Sequence, residues 1–406
     1  MSDESIVIVG AGHAGVQLCA SLIEAGQGHR VHLLSAEQEL PYHRPPLSKS
    51  FLKQAKEPTQ LLREAAWFER AGVQLSLGQM VVAIDRQAKT ITLRHGGSVS
   101  YGQLVLATGT RARIPPAWSL EATNVHVLRT ARDARVLRQA LQACSAVTIL
   151  GGGFIGLEVA ATCASLGKQV RVLEAGSRLM GRAVSPALSD HVVRAHRAAG
   201  IDIELQAAAR PQFHGDRLVR LTTDFGQHDV DLLLVAVGAQ PESDLAQAAG
   251  LRCDDGIVVD AQLRTSDPHI LAIGDGARFP WGQAHLRLES IQNAQDQARL
   301  AASTLLGGPA ALYRPMPWFW SEQGALRLQM VGLLESGPVE TYRREGAQPG
   351  ALSLFHYQQG ILRCAESVNA PADYLVARKW LEAGLSPPLD RLTDLAIPLR
   401  AILAPS

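Results

Sequence analysis

The sequence predicts an α/β fold whose central pattern occurs twice, followed by an α+β module at the C-terminal end. Three observations predict it. A short apolar run, Ile6–Val9, ends in glycines spaced Gly10-x-Gly12-x-x-Gly15 and leads into a helical pattern. The same order returns mid-chain, where Val147–Leu150 runs into Gly151-x-Gly153-x-x-Gly156 and a second helical pattern. Beyond residue 309 the rhythm changes to alternating runs at 326–331, 351–357 and 360–368 with a helix over 370–383. With 406 residues the chain is longer than one hydrophobic core usually serves, so two or three domains are expected.

Strand, glycine turn and helix in this order form a dinucleotide-binding turn. The first glycine allows the tight turn and the second lets backbone approach a pyrophosphate. The third lets the helix pack close on the strand, and the helix N-terminus faces the phosphate charge. In the first half, a helix from about Ala14 to Glu24 and a strand Val31–Leu34 follow. An acid at such a strand end binds ribose hydroxyls; here the end reads Ser35-Ala36-Glu37, with Glu37 the candidate. Residues 73–84 and 90–93 alternate like strands, and His95-Gly-Gly-Ser98 reads as a hairpin turn. Leu104–Gly109 is a further buried strand that ends in glycine, as backbone or ligand approaching closely would require; Ala107, Thr108 and Gly109 mark that end.

In the second half the strand Gln169–Leu173 ends at Glu174, 18 residues past Gly156, at the spacing of a ribose-binding acid. A carboxylate there accepts the ribose hydroxyls and repels a 2′-phosphate, which favours NADH over NADPH. Arg171, Arg178 and Arg182 work the other way. A helix over 186–199, a strand over 201–205 and a hairpin at Gly215 follow, and Leu232–Gly238 repeats the strand-to-glycine pattern of Leu104–Gly109. Ile270–Asp275 is another strand; Gly274-Asp275 either binds a cofactor hydroxyl or caps a helix, or both. A helix over 291–306 ends at Gly307-Gly-Pro309, and Trp318 and Trp320 read as core aromatics.

Composition narrows the classes. A net charge of +1 gives no general case for nucleic-acid or membrane-surface binding. No uncharged apolar run reaches the length of a membrane span, and Met1–Ile6 lacks the character of a signal peptide. The five cysteines lie far apart, so they form neither a disulfide framework nor a metal site, and a reducing cytoplasm is the expected compartment.

Several segments together resemble a known family. They are Gly10-x-Gly12-x-x-Gly15, Arg44-Pro-Pro-Leu-Ser-Lys49, Ala107-Thr-Gly109, Gly151–Glu158, Thr265-Ser-Asp-Pro-x-Ile270, Gly274-Asp275 and Pro317-Trp-Phe-Trp-Ser321. The set is similar, in order and over nearly the whole chain, to the FAD-dependent NADH:ferredoxin reductases that serve cytochrome P450 systems and ring-hydroxylating dioxygenases. The resemblance implies a glutathione reductase-type fold: two Rossmann-like dinucleotide-binding domains plus the C-terminal α+β domain. The FAD-binding domain is expected over residues 1–110 and 235–309, the NAD-binding domain over 111–234, and the C-terminal domain over 310–406.

The resemblance further implies that FAD uses the first turn and NADH the second. Ala14, Lys49, Val81, Arg129, Asp275 and Ile291 fall on FAD-contacting positions, and Arg44 and Ser290 complete that side. Phe154, Ile155, Arg182 and Gly238 join Gly151, Gly153, Gly156 and Glu174 on the NADH side. Lys49, Glu158 and Trp320 are the implied catalytic residues: Lys49 near the flavin N5 edge, Glu158 near both that lysine and the nicotinamide, and Trp320 close to the flavin. No cysteine occurs between residues 20 and 143, so the paired thiols of the disulfide-reducing branch of this fold are excluded. The implied activity takes hydride from NADH to FAD and passes single electrons to a 2Fe–2S ferredoxin. Arg44, Lys53, Arg287 and Arg314 are candidates for docking an acidic ferredoxin. Competing expectations are a reductase of rubredoxin, quinone or monodehydroascorbate on the same fold, and a flavin-binding interaction protein like apoptosis-inducing factor.

Overall fold

The computed structural model describes residues 5–54, 56–309, 311–346 and 348–402. It contains two compact units, each assembled from separated stretches of chain.

The first unit comprises residues 1–44, 59–111 and 239–315. Its centre is a five-stranded, all-parallel sheet in the order Ile270–Ala272, Gln103–Leu106, Ile6–Val9, Val31–Leu34, Gln74–Ser76. All four residues of Ile6–Val9 are buried, as expected where helices cover both faces of a parallel sheet. Helix His13–Glu24 contributes Val16, Leu18 and Leu22 to the core, and helix Ile291–Leu305 contributes Ala294, Ala298 and Ala301. The alternating stretch 73–84 does not form one strand. Gly78, at φ +69°, divides it, so Gln74–Ser76 edges the parallel sheet while Val81–Asp85 opens an antiparallel one with Thr90–Leu93 and Ser98–Ser100.

The second unit comprises residues 45–58, 112–238 and 316–406. It repeats the parallel arrangement in the order Asp202–Leu205, Gln169–Glu174, Ala146–Leu150, Leu232–Val235, Val125–His126. Thr130 and Asp133 form a reciprocal capping box that starts helix Ala131–Ala143. Ser185 caps helix Pro186–Ala198, whose first residue is a proline already held at a helical φ.

The C-terminal part of this unit is a five-stranded antiparallel sheet ordered Trp318–Gln323, Leu326–Gly332, Ile361–Val368, Leu352–Gln358, Glu340–Glu345. Two of these strands are not evident from sequence pattern. Trp318–Gln323 hides its alternation behind three consecutive aromatics, and Glu340–Glu345 is an edge strand rich in charge. Helix Pro371–Glu382 covers one face with Tyr374, Ala377, Trp380 and Leu381 against Phe355, Tyr357 and Leu362. Leu328, Met330, Leu352 and Leu354 share a core with Leu157 and Val159 of helix Phe154–Ser165. That helix is therefore buried on nearly every side, which explains its uniform apolarity and singles out Glu158, its one charged residue.

Candidate functional site

The two glycine turns have the same geometry. Gly10 sits at φ +112°, and a Cβ there would lie 2.2 Å from the Ala107 carbonyl oxygen. Gly151 sits at φ +105°, with the Ala236 carbonyl oxygen 2.5 Å from the equivalent point. Each turn thus abuts the end of the neighbouring strand, and only glycine fits. Gly12 and Gly153 differ from these: nothing lies within 4 Å of a Cβ at either position. They are also the N-caps of helices His13–Glu24 and Phe154–Ser165, and neither helix has a side-chain cap or an acid in its first turn. Helix N-termini whose N-cap residue offers no side-chain acceptor, beneath open space, suit the diphosphate of a dinucleotide at both turns.

Around the first turn, the first unit gathers most of the implied FAD residues. A Cβ on Gly274 would lie 3.0 Å from the Cβ of Ala14, and one on Gly276 would lie 3.1 Å from the Gly109 carbonyl. The Thr108 hydroxyl donates to the Glu242 carbonyl at 2.8 Å. Glu37 is the acid that acquires partners: its carboxylate accepts from the Tyr42 hydroxyl at 2.5 Å and from Arg44 Nη2 at 2.9 Å. The helix-cap reading of Asp275 is corrected. Asp275 lies inside the one-turn 3-10 helix Gly274–Gly276, and Ser290 caps helix Ile291–Leu305 by accepting from the Asn293 N–H. Val81 begins the antiparallel strand Val81–Asp85, and Ile291 is the first residue of the capped helix.

In the second unit, Glu174 is held at both oxygens. Oε2 accepts from the Gly152 N–H at 2.7 Å and Oε1 from the Gly176 N–H at 2.6 Å. The carboxylate is thereby locked beside the glycine turn. Two of the three opposing arginines are occupied elsewhere: Arg171 by Asp202 and His228, and Arg178 by the carbonyls of Gly181 and Val184. Arg182 faces Gly238, with Nη2 3.2 Å from where a Cβ would stand. Ile155 is exposed in the first turn of the helix, and the Phe154 ring packs 4.6 Å from that of Phe319. Arg129 lies in this unit immediately before the capping box.

The strongest constellation surrounds Glu158, which is 4% exposed. Residues 45–58 belong to the same unit, and the 3-10 turn Pro45–Ser48 brings Lys49 against helix Phe154–Ser165. Lys49 Nζ donates to Glu158 Oε2 at 2.7 Å and to the Pro45 carbonyl at 3.2 Å. The Ser48 hydroxyl reaches the same carboxylate oxygen at 2.5 Å, and Thr162, one helical turn on, donates to the Ser48 carbonyl. On the far oxygen, Ser321 Oγ donates to Glu158 Oε1 at 2.8 Å. Three donors on one carboxylate compensate its removal from water.

Trp320 precedes Ser321 but does not join this cluster. In a strand, alternate residues face opposite ways, so Phe319, Ser321 and Gln323 line the side toward Glu158, while Trp318 and Trp320 pair on the other at 5.5 Å. Trp318 packs against the core beneath helix Pro371–Glu382, as the core reading has it, while Trp320 is only partly buried and joins no core cluster. Arg378 lies over Trp318 at 5.1 Å. The sequence reading missed Ser48, Ser321, Gln323 and His196; the first two stand within the Arg44–Lys49 and Pro317–Ser321 segments as their least conspicuous members. The cysteines stay out of this chemistry. Burial pushes the Cys19 and Cys163 thiols up to about 12, so neither supplies a thiolate near neutrality.

Comparison with known proteins agrees with this fold. Residues 4–298 match the pyridine nucleotide-disulphide oxidoreductase family, and residues 318–403 match the reductase C-terminal family. The ferredoxin–NAD(+) reductase component of the anthranilate 1,2-dioxygenase system of Burkholderia cepacia is 38% identical over 99% of this chain and 100% of its own. The crystal structure of the ferredoxin reductase for the CYP199A2 system of Rhodopseudomonas palustris is 40% identical with a TM-score of 0.93, covering 98% of this chain and 99% of that one. Putidaredoxin reductase, in its covalent complex with putidaredoxin, is 34% identical with a TM-score of 0.91, covering 100% and 99%. Enzymes of this kind use a flavin and NAD(H). The chain belongs to the pyridine nucleotide-disulphide oxidoreductase family, among the ferredoxin reductases of oxygenase systems.

Proposed function

We propose that the protein is an NADH:ferredoxin reductase that holds FAD at the Gly10 turn, with residues 1–110 and 235–309, and NADH at the Gly151 turn, with residues 111–234. The observation that carries this reading is the pairing of partly buried Lys49 with buried Glu158, five residues into the helix that Gly153 opens, in a chain without a thiol at that place. A bound FAD would supply the switch from the two-electron donor NADH to a one-electron acceptor, a 2Fe–2S ferredoxin that feeds a cytochrome P450 or a dioxygenase.

The chain's own residues orient and polarise. Gly12 and Gly153 leave room for the two diphosphates, and the helix N-termini beneath them neutralise charge. Glu37 and Glu174 receive ribose hydroxyls. Lys49 would hold a positive charge toward a bound flavin, where low local dielectric makes it more effective than in water. Glu158 fixes the direction of that lysine and the amide of the nicotinamide. Trp320, partly exposed, would stand on the route from a bound flavin to the acceptor. The test is direct: the purified protein is expected to retain FAD, to bleach with NADH in anaerobic stopped flow, and to reduce cytochrome c only with a ferredoxin present. Faster reduction of quinone than of any ferredoxin would overturn the acceptor assignment.

Two further outcomes are expected. Glu174→Gln keeps the shape and removes the charge, so the preference for NADH over NADPH in kcat/KM should fall roughly tenfold or more; an unchanged ratio removes Glu174 from discrimination. Of the four candidate docking cations, Arg44 is engaged by Glu37 and Arg287 by Glu289. Exposed Lys53 and Arg314 remain as docking candidates. The rate of ferredoxin reduction should fall as salt rises, since screening lengths shorten to about 8 Å at physiological ionic strength. A flat salt profile would dismiss a basic docking patch.

A further inference from the structure

We propose that Gln323 and His196 are positioning residues for Glu158, forming with Ser321 a one-way chain of hydrogen-bond donors that assigns Glu158 Oε1 to Ser321 and leaves Oε2 to Lys49 and Ser48. The inference deepens the reading above and rests on it, because Lys49 and Glu158 must serve flavin reduction for their placement to matter.

His196, Gln323 and Ser321 are all buried: His196 and Gln323 are 2% exposed and Ser321 is 0% exposed. His196 Nε2 lies 2.8 Å from Gln323 Oε1, Gln323 Nε2 lies 3.2 Å from Ser321 Oγ, and Ser321 Oγ lies 2.8 Å from Glu158 Oε1. Such a chain can run either way, and Met180 sets the direction. Its thioether sulfur, 3.7 Å from the Gln323 side-chain nitrogen, can only accept. The amide nitrogen must therefore point toward Met180 and Ser321, where each of its two hydrogens finds an acceptor. The amide oxygen then points at His196, whose Nε2 must carry a proton. Ser321, already receiving from Gln323, passes its own hydrogen to Glu158. Burial keeps His196 below the usual histidine range, so it serves as a neutral donor. Met180 is itself anchored by its N–H to the Gly152 carbonyl at 2.9 Å, which ties the chain to the back of the second glycine turn.

Two measurements test this on the full chain carrying FAD. Nitrogen-15 NMR of histidine-labelled protein should show His196 neutral with its proton on Nε2, protected from exchange; a proton on Nδ1 means the amide is reversed and overturns the proposal. In stopped flow, Gln323→Leu should slow bleaching by NADH roughly fivefold, the scale of one hydrogen bond, at unchanged NADH affinity. In a Lys49→Ala background the same change should cost nothing further. His196→Gln, which retains a donor, should preserve the rate that His196→Leu loses. An equal loss from Gln323→Leu with and without Lys49 would show a merely structural role and overturn the proposal. Failure of the wild type to bleach with NADH would instead sink the functional reading and leave the tautomer result standing by itself.

Discussion

Lys49→Ala should slow reduction of the flavin by NADH about 100- to 1,000-fold, the usual loss when one preorganised charge or donor is removed from a reacting centre. The expectation follows from how completely the structure fixes this amine. Lys49 reaches Glu158 Oε2 at 2.7 Å and the Pro45 carbonyl at 3.2 Å, and its side chain is 21% exposed. An amine so held needs no rearrangement when charge develops beside it. Lys49 makes none of the contacts expected to hold NADH at Gly151, Gly153 and Glu174, so NADH affinity should change little and the loss should fall on the rate. Glu158→Gln separates the two partners: the lysine keeps its charge but loses its anchor, so a smaller loss is expected. Single-turnover bleaching under anaerobic conditions checks both. A Lys49→Ala enzyme that bleaches at the wild-type rate would remove the lysine from the reaction.

How much of this was legible beforehand depends on what each residue's signal was made of. The glycine turns were legible because backbone geometry admits only one residue type: φ near +110° against a carbonyl leaves no alternative to glycine at Gly10 and Gly151. Glu174 and Glu158 were legible in different ways, the first by spacing from the turn and the second through resemblance to a family. Physically, Glu158 is also the one charge in a helix buried on nearly every side. Ser48, Ser321, Gln323 and His196 were not legible. Each is a common polar residue, and its role depends on which strand face or helix turn meets Glu158 after folding. The aromatics of Trp318–Gln323 drew notice while the hydrogen bonding runs through its alternate residues Ser321 and Gln323. The arginines near Glu174 could not be ranked from sequence either, because Asp202 and Glu204, the carboxylates that pair with Arg171, come from the next strand.

The two kinds of glycine in each turn predict opposite phenotypes on substitution, and this separates folding from ligand binding. Gly10→Ala should yield little folded protein. Its Cβ would lie 2.2 Å from the Ala107 carbonyl oxygen and 2.7 Å from the carbonyl carbon, both backbone atoms just past the end of the neighbouring strand Gln103–Leu106. With φ at +112° in addition, the strain should reach roughly 3 kcal/mol or more, a large share of a typical domain's 5–15 kcal/mol. Gly12→Ala meets no such obstacle, since its φ is −78° and nothing lies within 4 Å of the new methyl group. The chain should fold and its flavin-free form should melt close to the wild type, yet the methyl group would occupy the open space proposed for a diphosphate. FAD affinity should then fall at least roughly tenfold, as for other clashes that keep a ligand from its donors. Gly153→Ala should do the same for NADH and leave the flavin in place. Thermal melts of the flavin-free chain, flavin content after purification and NADH titration read the three outcomes separately. A Gly12→Ala protein that keeps its FAD as tightly as the wild type would mean that no phosphate lies over the first turn, and the assignment of FAD to that site would fall with it.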